Sequence, residues 1–166
     1  MTQEETATLT ALYEQYYPKI YNYFFYTLLN HDVAYDLTSQ TFLKVITKID
    51  SYHADKAKLS TWLFAVAKNT LIDNYRKKKL QVTSLDNLAE SGIELKQVED
   101  RTVDDDDAFL SLIQTLSEKE REIIICRFYF DMTYAEIAQN CHLTPTNVSV
   151  IISRCIKKLR KVVSYE

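Results

Sequence analysis

Apolar residues recur at three- and four-residue steps through both ends of this 166-residue chain. That period allows the apolar side chains to be buried only by packing helix against helix. In the first block the stripe is Leu9, Leu12, Tyr13, Tyr16, Tyr17, Ile20, Tyr21, Phe24 and Leu28, and after Asn30-His31-Asp32 it resumes through Leu37, Phe42, Val45, Ile46 and Ile49. A third run carries Leu59, Leu63, Val66, Ala67 and Leu71, with Ser60 or Thr61 as its expected cap, and ends in Arg76-Lys77-Lys78-Lys79. The expected fold class is all-α.

The last block marks its helix starts chemically. Ser117-Glu118-Lys119-Glu120 has capping-box spacing before an apolar run through Ile123, Ile124 and Phe128, and Thr133-Tyr134-Ala135-Glu136 repeats that spacing before Ile137 and Ala138. Asn140-Cys141-His142-Leu143 supplies a turn, and Thr144-Pro145 supplies a cap followed by proline at the first helical position. The helix that follows presents Val148, Ile152, Cys155 and Leu159 on one side. Thr146, Asn147, Ser149, Ser153, Arg154, Lys157, Arg160 and Lys161 fall on the others. A short helix, a tight turn and a longer helix with a polar, basic outer face form a helix-turn-helix that can enter the major groove.

Several function classes are excluded by composition. The chain has one glycine, Gly92, whereas phosphate-cradling loops and dinucleotide fingerprints need several. Its three histidines, His31, His53 and His142, sit in no nucleophile, base or metal-ligand pattern. Cys126, Cys141 and Cys155 match no common zinc spacing, and two of them occupy apolar helical positions, so they read as free thiols. Neither metal nor cofactor is expected. No segment approaches the ~20 apolar residues needed to span a bilayer, so a cytoplasmic protein without membrane insertion is expected.

Charge divides the chain. Residues 1–80 hold 10 Lys/Arg against 8 Asp/Glu, residues 81–107 hold 2 against 9, and residues 108–166 hold 8 against 6. The expected organisation is therefore two small helical domains, 1–80 and 108–166, joined by an acidic linker, 81–107, that ends in four aspartates. In the first domain Arg76, Lys77 and Lys78 follow a loop that brings Lys56 and Lys58 near Tyr52 and Trp62. Cations interleaved with aromatic faces suit single-stranded nucleic acid, because phosphates attract the cations and unstacked bases pack on the rings.

Taken in order, these segments resemble the extracytoplasmic-function group of sigma factors within the sigma-70 family. Asp36-Leu37-Thr38-Ser39-Gln40-Thr41-Phe42-Leu43 resembles the stretch with which the family grips RNA polymerase. Thr61 to Asn69, continuing to Asp73 and Arg76, resembles its promoter-melting, minus-ten-reading segment. Leu116-Ser117 through Arg127, then Tyr134 to Ala138 and Val148, resemble the domain that reads the minus-thirty-five element.

The resemblance implies a non-enzymatic transcription initiation factor whose partners are core RNA polymerase, promoter DNA and an anti-sigma factor. It places Asp36, Leu37, Gln40 and Phe42 on polymerase. On the minus-ten strand it places Lys56, Lys58, Ser60, Thr61, Trp62, Asn69, Arg76, Lys77 and Lys78, with Asn69 at a flipped base. On the minus-thirty-five duplex it places Thr144, Thr146, Asn147, Ser149, Val150, Ser153, Arg154, Lys157 and Arg160.

Two departures from the family pattern carry expectations of their own. His142 stands where the turn usually has glycine and must take a left-handed backbone. Asn147-Val148-Ser149-Val150-Ile151-Ile152 lacks two usual cations and turns Val150 outward. A conventional helix-turn-helix repressor or activator, and a protein-interaction module without DNA binding, are the alternative classes.

Overall fold

The computed structural model describes residues 2–84 and 107–164. They form helices α1 (Gln3–Leu28), α2 (His31–Lys48), α3 (Leu59–Ser84), α4 (Asp107–Gln114), α5 (Glu118–Phe128), α6 (Tyr134–Cys141) and α7 (Pro145–Val163), with a 3-10 turn at Ile49–Ser51. No strand occurs among the described residues, so the all-α expectation holds. The chain separates into two compact units, one containing α1 as far as Phe25 with α2 and α3, and the other containing Tyr26–Leu28 with α4 to α7. Most of the acidic stretch, 85–106, lies outside the described residues, including three of its four terminal aspartates.

In the first unit Thr2 opens α1 with a reciprocal capping box to Glu5, and Asn30 opens α2 by accepting from the Val33 amide at 3.1 Å. Leu29 ends α1 in the left-handed region (φ 54°), a conformation disfavoured for a leucine. Pro18 lies inside α1, where its ring removes one helix hydrogen bond. Buried Ile20, Tyr23, Phe24, Ala34, Leu37, Val45, Leu63, Phe64 and Ala67 make the core. An aromatic ladder climbs one side of α1. Tyr13 leans tilted against Tyr17 (5.1 Å), while Tyr17 stacks on Tyr21 (6.3 Å) and Tyr21 on Phe25 (6.2 Å), at the four-residue spacing that sets side chains one above another.

One cap differs from the sequence reading. Helix α3 begins at Leu59, and the Trp62 amide already bonds to the Lys58 carbonyl at 3.0 Å. Ser60 and Thr61 are thus inside the first turn rather than capping it, and the Thr61 hydroxyl is buried with no hydrogen-bond partner among the described residues. Lys44 on α2 reaches Asp73 on α3 at 3.0 Å.

The second unit follows its local signals closely. Ser117 and Thr133 each form a complete capping box, with Glu120 and Glu136 respectively, and Thr144 accepts from the Asn147 amide with Pro145 at the first position of α7. His142 takes the left-handed conformation (φ 55°, ψ 44°) and closes α6 with its amide on the Ala138 carbonyl. Histidine therefore serves where the turn would accept glycine. The connection from α5 to α6 is held by Arg127, which donates to the Met132 carbonyl at 2.9 Å and lies 5.0 Å from the Tyr134 ring centre. The core of this unit includes Ile123, Ile125, Met132, Ile137, Val148, Ile152 and Cys155. Phe128, the last residue of the apolar run in α5, stands out of it at 59% exposure.

Glu120 has two tasks, since one carboxylate oxygen accepts from the Ser117 amide at 2.9 Å and the other from Lys158 on α7 at 2.9 Å. The Lys158 hydrogen bond is the main reason its carboxyl titrates below the ordinary value of 4.5, with Ser117 adding to it against the opposing effect of partial burial. A carboxylate with a depressed folded-state value contributes stability above its unfolded value and loses that contribution as pH falls through the folded one. The melting temperature of the second unit is therefore expected to fall as pH is lowered below 4.5, and to fall less in Glu120→Gln. The difference should be small, because both partners of the pair reach solvent. Thermal melts of both proteins across pH 6 to 3 check this; parallel curves would remove the pair from the account.

Candidate protein and DNA interfaces

The motif on α2 splits by helix face. Asp36 is exposed and Gln40 half-buried, and the Gln40 amide donates to the Asp36 carboxylate at 2.8 Å, so both polar groups sit together at the surface. Leu37 and Phe42 do not join them. Leu37 is fully buried, and Phe42, at 5% exposure, packs its ring 4.8 Å from Tyr13 and 6.0 Å from Tyr17 of α1. The resemblance placed both on polymerase, but their burial and the Tyr13 and Tyr17 contacts assign them to packing α2 within the first unit.

What α2 offers instead is Tyr35 (63% exposed), Leu43 (65%) and Ile46 (50%), with Ser39 between them. These apolar side chains share a surface with Asp36 and Gln40. The periodic pattern assigned Ile46 to the core stripe and did not single out Tyr35, while Leu43 lay at the end of the stretch that resembles the polymerase-gripping segment. A contiguous exposed apolar stripe beside a carboxylate has the makeup of a protein-docking surface.

On α3 the residues expected on single-stranded DNA fall largely on one face. Lys58, Trp62, Asn69 and Arg76 follow one another at four- and seven-residue steps, which return to nearly the same side of a helix. Lys78 falls about 200° from Arg76 and faces elsewhere. Asn69, Arg76, Lys77 and Lys78 are exposed; Ser60, Thr61 and Trp62 are half-buried. The Trp62 ring leans on Tyr52 at 5.4 Å, and the Tyr52 hydroxyl donates to the Ala57 carbonyl at 3.0 Å, pinning the loop that carries Lys56 and Lys58. Asp73, the acid in this stretch, is held below the usual carboxylate range chiefly by the Lys44 hydrogen bond, with Arg76 and Lys77 adding to it. Its charge is thus engaged, and Arg76 and Lys77 dominate the face beyond it. Tyr75, 38% exposed beside Arg76, was not singled out by the sequence pattern.

In the second unit α7 carries the expected division. Val148, Ile152 and Cys155 are buried, while Thr144, Thr146, Asn147, Val150, Ser153, Arg154, Lys157 and Arg160 are exposed and Ser149 is half-buried. The three cysteines are buried free thiols, and burial pushes Cys155 up from its ordinary value, so it stays protonated at neutral pH. Among the described residues no helix is long and apolar enough to cross a membrane.

Comparison with known proteins matches residues 12–81 to Sigma-70 region 2 and residues 112–161 to Sigma-70, region 4. The ECF RNA polymerase sigma factor BldN of Streptomyces coelicolor is 25% identical over 162 residues, covering 95% of this chain and 61% of that one. The chain thus spans less than two thirds of that relative's length. SigM of Bacillus subtilis, also an ECF RNA polymerase sigma factor, is 26% identical and covers 92% of this chain and 93% of its own. The RNA polymerase sigma factor YlaC of the same organism is 28% identical and covers 93% and 91%. Among solved structures, the sigma factor RpoE of Bartonella quintana, in complex with the anti-sigma factor NepR, superposes with a TM-score of 0.70 at 22% identity, over 98% of both chains. CnrH in complex with the cytosolic domain of CnrY gives 0.62 at 17%, over 97% of this chain and 90% of that one. These two establish likeness of fold. With both sigma regions matched, in order, and relatives matched along nearly the whole chain, this protein belongs to the extracytoplasmic-function group of the sigma-70 family.

Proposed function

We propose that this chain is a transcription initiation factor that binds core RNA polymerase, directs it to specific promoters and assists strand opening. The observation that carries the reading is the pairing of two different nucleic-acid surfaces in one chain. Lys58, just before α3, and Trp62, Asn69 and Arg76 on it combine cations with an aromatic ring and a hydrogen-bonding amide, as an unstacked strand requires. The α6–α7 helix-turn-helix suits duplex. A conventional repressor has use for the second surface and none for the first.

In this reading the α2 stripe of Tyr35, Leu43 and Ile46 with Asp36 and Gln40 docks polymerase. Asn69 receives a base flipped from the minus-ten strand, and Arg76 and Lys77 hold the neighbouring phosphates. Thr144, Thr146, Asn147, Ser149, Val150 and Ser153 face the minus-thirty-five element, with Arg154, Lys157 and Arg160 towards its backbone. The chain performs no bond chemistry; polymerase does. An anti-sigma protein completes the proposed partners, since the RpoE and CnrH structures hold theirs in complex with NepR and CnrY. Working on polymerase at promoters places the protein in the cytoplasm.

In vitro transcription with purified core polymerase tests this directly. Specific initiation is expected only when the chain is added, and Asn69→Ala is expected to lower open-complex formation and flatten the preference at one minus-ten position. Phosphate contacts behave differently. Lys157→Ala or Arg160→Ala should weaken promoter binding on all sequences alike and reduce its salt slope by about one. Tight operator-like binding of duplex without polymerase, and no initiation, would return the protein to the repressor class. An Asn69→Ala protein that ranks all minus-ten variants as the parent does would remove the base-capture assignment.

A further inference from the structure

The reading half of α7 carries no charge. Outward from its cap the exposed side chains are Thr144, Pro145, Thr146, Asn147, Val150 and Ser153, and the first cation is Arg154. Beyond it the helix is basic, with Lys157, Lys158, Arg160 and Lys161. In a helix-turn-helix the N-terminal residues of the second helix meet base edges, while later cations reach the backbone. A guanine is recognised most often by the fork of an arginine or by a lysine on its O6 and N7. The first two turns of α7 have neither.

What they do have is an amide and an exposed branched hydrocarbon. Val150 is 40% exposed and lies on the side of the helix opposite buried Val148, Ile152 and Cys155, so its position is not explained by the core. Asn147, one turn earlier, is exposed, and the Thr144 hydroxyl fixes its backbone by accepting from the Asn147 amide at 3.2 Å. Side chains three apart on a helix have Cβ atoms about 5–6 Å from each other, which suits neighbouring base pairs. An asparagine amide matches the adenine N6/N7 edge, and an apolar side chain matches the thymine 5-methyl.

Resting on the proposed function, we infer that Asn147 and Val150 make the minus-thirty-five readout selective for A·T pairs, with Asn147 on an adenine and Val150 against the methyl of an adjacent thymine. The hydroxyls of Thr146 and Ser153 contribute little discrimination, because a hydroxyl both donates and accepts. Arg154, Lys157 and Arg160 set register through phosphates.

The experiment uses the full chain assembled with core polymerase, first to select a minus-thirty-five element from a randomised promoter library. Each thymine of the selected element is then replaced by deoxyuridine, which removes the methyl and keeps every hydrogen-bonding group. At one position the parent is expected to lose about three- to fivefold in promoter occupancy, and Val150→Ala is expected to be indifferent there. At a neighbouring adenine, 7-deazaadenine should cost the parent about tenfold and leave Asn147→Ala unaffected. Val150→Lys should move the selected base at that step towards guanine. Val150 is exposed, so a melting curve matching the parent's is expected for both Val150 variants.

Deoxyuridine that changes nothing at any position, or an equal loss in parent and Val150→Ala, overturns the methyl contact while initiation itself upholds the functional reading. Selection of guanine at both steps overturns the A·T assignment. Absence of initiation from every library member overturns the functional reading and this inference with it.

Discussion

Phe42→Ala is expected to destabilise the first unit by about 3–5 kcal/mol, the usual cost of deleting a buried aromatic ring. The ring is 95% removed from solvent and meets Tyr13 and Tyr17 of the α1 ladder, so its loss opens a cavity between α1 and α2 and withdraws the aromatic pairing as well. A loss of that size is a large share of the stability of a small domain. Denaturant unfolding followed by tyrosine fluorescence reports it, and any loss of polymerase binding should track the fraction unfolded. Phe42→Leu, which keeps apolar bulk, should recover most of the stability and, with it, binding. A Phe42→Ala protein as stable as the parent that still fails to bind polymerase would place the ring at the interface and reverse the assignment made from burial.

Leu43→Asp should behave in the opposite manner. Leu43 is 65% exposed, so a substitution there is expected to leave stability within about 0.5 kcal/mol of the parent. At a docked surface the same change places a carboxylate in an apolar contact, and central interface residues commonly contribute about 2 kcal/mol or more. That corresponds to roughly a thirtyfold loss of core affinity. Adding Ile46→Ala should deepen the loss, whereas Thr47→Ala, also exposed on α2, should have little effect. Titration of labelled core polymerase with each full-length variant, beside a melting curve, measures both quantities. Parental affinity in a folded Leu43→Asp, Ile46→Ala protein would remove the stripe from the polymerase interface. The two experiments together separate residues that shape α2 from residues that use it.

Nine Asp/Glu against two Lys/Arg across 81–107 should be repelled by DNA.

The caps of the second unit were legible from the sequence alone. Ser117, Thr133 and Thr144-Pro145 each start a helix where their spacing said they would, and His142 ends one in the left-handed turn asked of it. Capping and turn chemistry act over three or four residues, so a short window of sequence contains the whole cause. The division of α7 into a buried stripe and a polar outer face was equally legible, because helical period alone sorts a side chain when only one face is covered.

In α2 that logic failed, and only the tertiary structure assigned the faces. Leu37, Phe42, Leu43 and Ile46 are all apolar and all fit a helical stripe, yet the first two are buried and the last two exposed. Which side of the helix is inside depends on where α1 brings Tyr13 and Tyr17 and where α3 brings Asp73 to Lys44, contacts between residues far apart in the chain. Period gives the angle between side chains. The neighbouring helices determine which angle is covered, and so buried two residues expected at a contact and left two apolar ones exposed.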